Sequence, residues 1–296
     1  MAPPLATVTT QFLDRPGLAP ATVKSYELAL MPLLKDYGRW PMELLDRPLL
    51  EEYLNSLHHL AYTTHHRHQA ILQALFNFAT QQGYLRTNPI AHLKRRQPDA
   101  SKGEHRSDEI IRYLTSDQLD RLYQAVRSNS RLHAIVALLH RTGARISEVL
   151  SLNFDDVDLE HQRFQVIGKG NKQRWCFYSD DAATALHRYL KYERHPEHEA
   201  LFTAQQRITQ TVSRLSYRTL HQQWKTAIET IPQLSDARIH DLRHTFATER
   251  VGIIALEELR ALMGHEKIQT TLRYQKVTSG QAEAAAKKAL QTLLNE

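Results

Sequence analysis

His240-Asp241-Leu242-Arg243-His244, then Leu262-Met263-Gly264-His265, then a lone Tyr274: this run places imidazoles, a guanidinium and a phenol within one short stretch. His240 and Arg243 are three residues apart and share one face of a helix. His244 follows Arg243 directly and is expected to face elsewhere, as a structural residue. Upstream, Arg145 sits in Thr142-Gly143-Ala144-Arg145-Ile146-Ser147-Glu148, and Lys169 in Gly168-Lys169-Gly170-Asn171-Lys172. Groups of these types are suited to holding a phosphodiester while a tyrosine attacks it.

Around these motifs the pattern is mainly helical with a small β-sheet. Thr115-Ser116-Asp117-Gln118 is a helix start ahead of Leu119, Leu122 and Tyr123. Residues 132–139 read as a buried helix. Residues 163–168 and 173–178 read as strands joined by the turn Lys169-Gly170-Asn171-Lys172. Helical patterns dominate from Ala182 onward, ending in an alanine-rich stretch from Gln281 to Leu293. Toward the N-terminus, Ala19-Pro20-Ala21-Thr22 opens a helix with Val23, Tyr26, Leu30, Leu33 and Leu34 at helical spacing. A second stripe is Leu49, Leu50, Tyr53, Leu54 and Leu57. A third is Ala70, Ile71, Ala74, Leu75 and Phe78, closed by Gln82-Gly83-Tyr84. Such stripes on short connections predict a small bundle. The polar, charged run from Lys94 to Arg106, with Pro98 and Gly103, breaks the pattern. The expected division is a helical domain over 1–96, a linker over 97–113 and a mixed α/β domain over 114–296.

Composition narrows the class. At 296 residues the chain is long enough for two cores. With 42% hydrophobic and 24% charged residues it reads as an ordinary soluble protein. A formal charge of +6 and a pI near 9.3 favour an acidic partner, nucleic acid above all. No apolar run is long enough to span a bilayer, and Met1-Ala2-Pro3-Pro4-Leu5 lacks the pattern of a secretory signal. A single cysteine, Cys176, leaves no internal disulfide and fits a reducing cytoplasm.

The residue types match the needs of metal-free phosphodiester cleavage. A nucleophile must lie in line with the leaving oxygen, donors must meet the charge growing on the non-bridging oxygens, and a proton must reach the leaving 5′ oxygen. An arginine's planar fork pairs two oxygens at once and keeps its charge. A phenol has a pKa of about 10 and needs a nearby base or cation at neutral pH. The histidine groups His65-His66-Arg67-His68 and His195-Pro196-Glu197-His198 lack the i, i+4 pair and third ligand of a metal site, so no metal is expected.

Order and spacing resemble the tyrosine recombinases, the phage-integrase family, and most closely their compact Xer-like members. The resemblance spans nearly the whole chain, beginning at Leu18-Ala19-Pro20-Ala21-Thr22-Val23-Lys24-Ser25-Tyr26, which looks like the start of a helical core-binding domain. It implies a mixed α/β catalytic domain in which Arg145 and Arg243 clamp the phosphate. Lys169 is then the acid for the 5′ oxygen, with Lys172 competing for that role or otherwise meeting DNA. His240 gives acid–base help to the tyrosine, His265 donates to a non-bridging oxygen, Tyr274 is the nucleophile and Glu148 steadies the site. Thr22, Lys24 and Ser25 on one helix and Thr64, His65, Arg67 and His68 on another are the expected DNA contacts.

The resemblance further implies a 3′-phosphotyrosyl link and a four-way junction. No cofactor is needed, because the ester conserves the energy of the broken bond. The partner is double-stranded DNA carrying recombination sites, bound by a dimer on one site and a tetramer in synapsis. A partner recombinase or accessory protein is compatible with the motifs. The stretch from Gln281 to Leu293 is expected to dock on a neighbouring subunit. Departures are small: Gln275-Lys276-Val277 where Thr-His-Val is common, Met263 for a frequent leucine, and Glu266-Lys267 where a serine is usual. Two other classes share features: type IB topoisomerases, which relax DNA with the same groups, and silent DNA-binding regulators.

Overall fold

The computed structural model describes residues 2–104, 111–168, 173–206 and 208–277. Lys169, Lys172 and the helix expected over 281–293 lie outside them. The chain is mainly helical with small antiparallel sheets, and it divides into two compact units, Met1–Ile110 and Ile111–Glu296.

The first unit contains α1 (Leu5–Asp14), α2 (Pro20–Tyr37), α3 (Arg47–Ser56) and α4 (Tyr62–Gln81). Proline near the start of α2 and α3 suits an N-terminal turn whose N–H groups have no partner in the helix. The expected stripes supply Leu30, Leu33, Leu50, Tyr53, Leu54, Ile71 and Leu75 to the core. Ala70 is exposed instead, and α4 turns Leu72, Phe76 and Ala79 inward. The sequence reading did not single out α1, yet Leu5, Val8 and Phe12 at helical spacing are fully buried. Part of the charged run is folded onto this unit. Glu104 accepts two bonds from Arg96, at 2.7 and 2.9 Å, and one each from the N–H groups of Tyr62 and Asp99.

The second unit is built on α6 (Ser130–Thr142), preceded by α5 (Ser116–Val126). Thr115 and Gln118 form the reciprocal cap that starts α5. The helix α6 is apolar almost all round, as a central helix must be: Leu132 and every residue from Ala134 to His140 are buried. After α7 (Ile146–Ser151) come β1 (Val157–Asp158), β2 (Arg163–Ile167) and β3 (Gln173–Phe177), an antiparallel sheet in that order. Phe164 faces Cys176 across the register, and both are buried. The helix α8 (Asp180–Tyr192) packs on α6. Two short strands, β4 (Thr203–Gln205) and β5 (Val212–Arg214), interrupt the region where helical patterns dominate. Three-residue strands rich in Thr, Ser and Gln carry too little alternation to be read. The unit continues with α9 (Tyr217–Ile228), α10 (Asp241–Arg250), α11 (Leu256–Met263), α12 (Ile268–Leu272) and a 3-10 turn, Arg273–Val277. Among the described residues no helix is long and apolar enough to cross a membrane.

Candidate active site

The end of α6 sets the first wall of the site. Gly143 takes φ +62°, where a Cβ would lie 2.3 Å from the ring of Phe246, so only glycine fits the turn. Two residues on, Arg145 caps α7, its N–H donating to Glu148 Oε2 at 2.7 Å while its Nη1 donates to Oε1 at 2.9 Å. Glu148 is buried and also receives Arg174 in a two-pronged pair, Nη1 to Oε1 at 3.0 Å and Nη2 to Oε2 at 2.7 Å. Burial pushes the Glu148 carboxyl up, but the bonds from Arg174 and from Arg145 outweigh it and hold the group at about 2. Arg174 also donates from Nε to the carbonyl of Leu262, at 3.2 Å. The sequence reading missed Arg174, although the alternation Arg174, Cys176, Tyr178 already placed it on the inward face of β3.

Helix α10 supplies the second wall. Asp241 is buried and accepts the N–H of Arg238 at 2.9 Å, which secures the first turn. Arg243, also buried, donates from Nη1 to the carbonyl of Gly143 and from Nη2 to that of Met263, the latter at 2.6 Å. One guanidinium therefore ties α10 to the ends of α6 and α11. Burial and then Arg145 lower its pKa to about 10, which leaves it charged at neutral pH. Those two bonds use two of its five N–H donors. Arg145, partly exposed, reaches the carbonyl of Gly264 at 3.4 Å.

Gly264 ends α11 with φ +62°, and a Cβ there would meet Arg174 Nη1 at 2.9 Å. The chain then turns His265 inward, where its Nδ1 lies 2.9 Å from Thr271 Oγ1 and both side chains are buried. Burial first, then Arg243 and Arg145, lower the His265 pKa to about 3, so the ring is neutral. Tyr274 lies parallel to it, with ring centroids 6.4 Å apart. The body of Tyr274 packs in an apolar cluster with Phe246, Ala247, Val251, Leu259 and Met263. Burial pushes its phenol above the ordinary value, with Arg243, Arg273 and Arg145 working against it.

The hydroxyl of Tyr274 lies 2.9 Å from Nδ1 of His244. This corrects the expectation that His244 faces away as a structural residue. His244 is four residues from His240, and the two rings meet at 4.7 Å, edge to face. The i, i+4 relation to His240 is the signal in the sequence that places His244 on the same face. His240 itself is exposed and sits at the residue before α10, with no capping bond from its side chain. An open cleft of about 960 Å³ runs from His240 along α9, lined by Tyr217, Arg218, His221, Lys225 and Arg238.

In the first unit the expected DNA contacts separate. Lys24, Thr64 and Arg67 are exposed, Thr22, Ser25 and His68 partly so, and Arg67 bonds the Ser25 hydroxyl, joining α4 to α2. His65 does not belong with them. It is buried and bonded through Nε2 to the carbonyl of Leu54 at 2.9 Å, a packing group with no edge to offer a base.

Known proteins resemble this chain in sequence and in fold. The model of the phage integrase family matches residues 112–280, which include every site residue named above in the second unit. The tyrosine recombinase XerC of Alcanivorax borkumensis is 30% identical over 282 residues, covering 90% of this chain and 87% of that protein. That of Mycobacterium bovis is 31% identical over 242 residues, 77% of each. In fold, the chain is similar to the Tn1549 transposon integrase in complex with circular intermediate DNA, with a TM-score of 0.72 at 19% identity over 92% of this chain and 95% of that one. It is likewise similar to a lambda integrase dimer bound to a core site, with a TM-score of 0.70 at 17% identity and the same coverage. A family model covering more than half of the chain, and a relative matched over nine-tenths of it, place this protein in the phage integrase family of tyrosine recombinases.

Proposed function

We propose that this protein is a site-specific DNA recombinase that breaks and rejoins strands through Tyr274. The observation that carries this reading is convergence. The turn before α7, helix α10, the turn after α11 and the 3-10 turn bring Arg145, Arg243, His265 and Tyr274 to one place. Arg145 and Arg243 clamp the non-bridging oxygens of a scissile phosphate, with Glu148 holding Arg145 in position. His265 donates to the same phosphate, and its bond to Thr271 sets the angle of the ring. Lys169 hands a proton to the 5′ oxygen, with Lys172 as the alternative donor. The family pattern gives acid–base assistance to His240.

The phenol oxygen of Tyr274 bonds to phosphorus, the bond to the 5′ oxygen breaks, and a 3′-phosphotyrosyl ester remains. A 5′ hydroxyl from a partner duplex then opens that ester, and two such exchanges make and resolve a four-way junction. The ester keeps the bond energy, so the reaction calls for no nucleotide or metal. In this reading the basic cleft along α9 and the exposed Lys24, Thr64 and Arg67 meet DNA phosphates and base edges. The working assembly is a dimer on each site and a tetramer in synapsis, in the cytoplasm.

The test is covalent trapping. The protein is incubated with a pool of centrally nicked duplexes whose inverted-repeat arms are randomised, then denatured. The expected result is a protein–DNA adduct that Tyr274→Phe abolishes, its junction marking the cleaved site. Binding without an adduct would point to a silent regulator. An adduct with relaxation of supercoils but no exchange between two sites would point to a topoisomerase.

A further inference from the structure

Two imidazoles flank the nucleophile, and they are not equivalent. His265 lies parallel to the Tyr274 ring and its Nδ1 is engaged by Thr271. His244 instead directs Nδ1 at the phenol oxygen, 2.9 Å away, and its ring meets that of His240, one turn earlier at the start of α10, edge to face. A neutral imidazole has one acceptor nitrogen, and the phenol has one proton to give. We infer that His244 is a catalytic residue, the group that takes the hydroxyl proton of Tyr274 as the phenol oxygen bonds to phosphorus. This rests on the recombinase reading and deepens it, moving to His244 the task that the sequence pattern gave to His240.

The step balances. A lone pair of Tyr274 Oη forms the bond to phosphorus, and the pair of the broken bond leaves with the 5′ oxygen, which takes its proton from a separate donor. The phenol proton moves to His244 Nδ1 and makes an imidazolium. When a 5′ hydroxyl opens the ester, the phenolate recovers that proton. Among the protein's own groups alone, His244 is a weak base. Burial first, then His240, Arg238, Arg273 and Arg243, hold its pKa to about 4. A bound phosphate places negative charge against Arg243, and so raises the proton affinity of His244 when the phosphate is in place. Proton transfer is thereby coupled to DNA binding, and the phenol stays protonated without it.

Two measurements test this. In the DNA-free protein, 15N NMR of the histidine rings, assigned by the signal lost in His244→Gln, reads the tautomer. The expected result is a hydrogen-bonded acceptor at Nδ1 with the proton on Nε2. A proton on Nδ1 overturns the inference, because the phenol would then be the acceptor. The second measurement follows the rate of adduct formation from pH 6 to pH 9, on the nicked duplex recovered by trapping. His244→Gln should be slower by about 100-fold at pH 7, with the gap narrowing by about tenfold per pH unit as hydroxide takes over the ionisation. A gap constant across pH means that His244 only positions the ring, and sinks the assignment. A wild-type protein that attaches to no duplex counts against the recombinase reading itself, and the tautomer then decides alone whether His244 accepts the proton.

Discussion

Gly143 carries more of the site than its size suggests. Its positive φ ends α6, its carbonyl receives Arg243, and it stands two residues ahead of Arg145. In Gly143→Ala a methyl group would enter the Phe246 ring in a backbone conformation unfavourable to alanine. We expect a loss of about 3 kcal/mol in urea unfolding, combining the left-handed penalty with overpacking. Adduct formation should fall with it, since both arginines shift. Cys176 makes the opposite case. It is buried opposite Phe164 on the neighbouring strand, and burial raises its thiol to about 11. It should resist a disulfide reagent in the folded protein and react at once in denaturant; rapid native labelling would contradict the burial.

At the scale of elements, the inward face of β3 and the first turns of α7 and α10 form one polar unit. Arg174 reaches from the sheet to Glu148 and to the carbonyl of Leu262, so it fixes the position of Arg145 indirectly. Arg174→Met should cost about 3 kcal/mol, because it leaves a buried carboxylate with one partner fewer. Arg174→Lys keeps the charge but loses the fork, and should recover only part of that. If the two residues act as a pair, adding Glu148→Gln to Arg174→Met will cost less than the sum of the single changes, which a double-mutant cycle on unfolding free energies measures. The segments in this unit differ in how readable they were. The His-x-x-Arg spacing and the strand alternation around Cys176 were plain in the sequence. The half-buried Arg174 was legible only as an inward position, since period-2 alternation says which way a side chain points and not what it meets. His244 was misread for the same reason: its sequence neighbour is Arg243, but its contact is thirty residues away in a turn that the helix pattern does not describe.

Over the whole molecule, Glu148, His244 and His265 all make stability fall as the pH is lowered into the acid range. Glu148 titrates at about 2 in the folded chain against 4.5 for the free group, so its contribution is present above 4.5 and disappears as pH falls toward 2. His244 and His265 titrate at about 4 and about 3 against 6.5. Below pH 6.5 the unfolded chain binds protons that these rings refuse when folded, so stability drops as pH falls from there. The midpoint of urea unfolding should accordingly be lower at pH 5 than at pH 7.5, and His265→Asn should reduce that difference. An equal midpoint at both values would mean that the two rings are not held neutral.

What the amino-acid sequence determined by itself was the set of groups, their order and the elements that carry them. Helical stripes, strand alternation, caps and glycine stops are local, and the motif spacings survive folding unchanged. Only the tertiary structure decided which imidazole meets the phenol, that Arg243 spends two donors on the backbone of α6 and α11, that Arg174 completes the cage around Glu148, and that His65 is buried rather than turned outward. Each of these is a contact between residues far apart in the chain, set by how apolar faces pack around α6, on α10 and within the four-helix unit. Local spacing holds no information about such distances, because a side chain's partner depends on where the backbone of another element comes to rest.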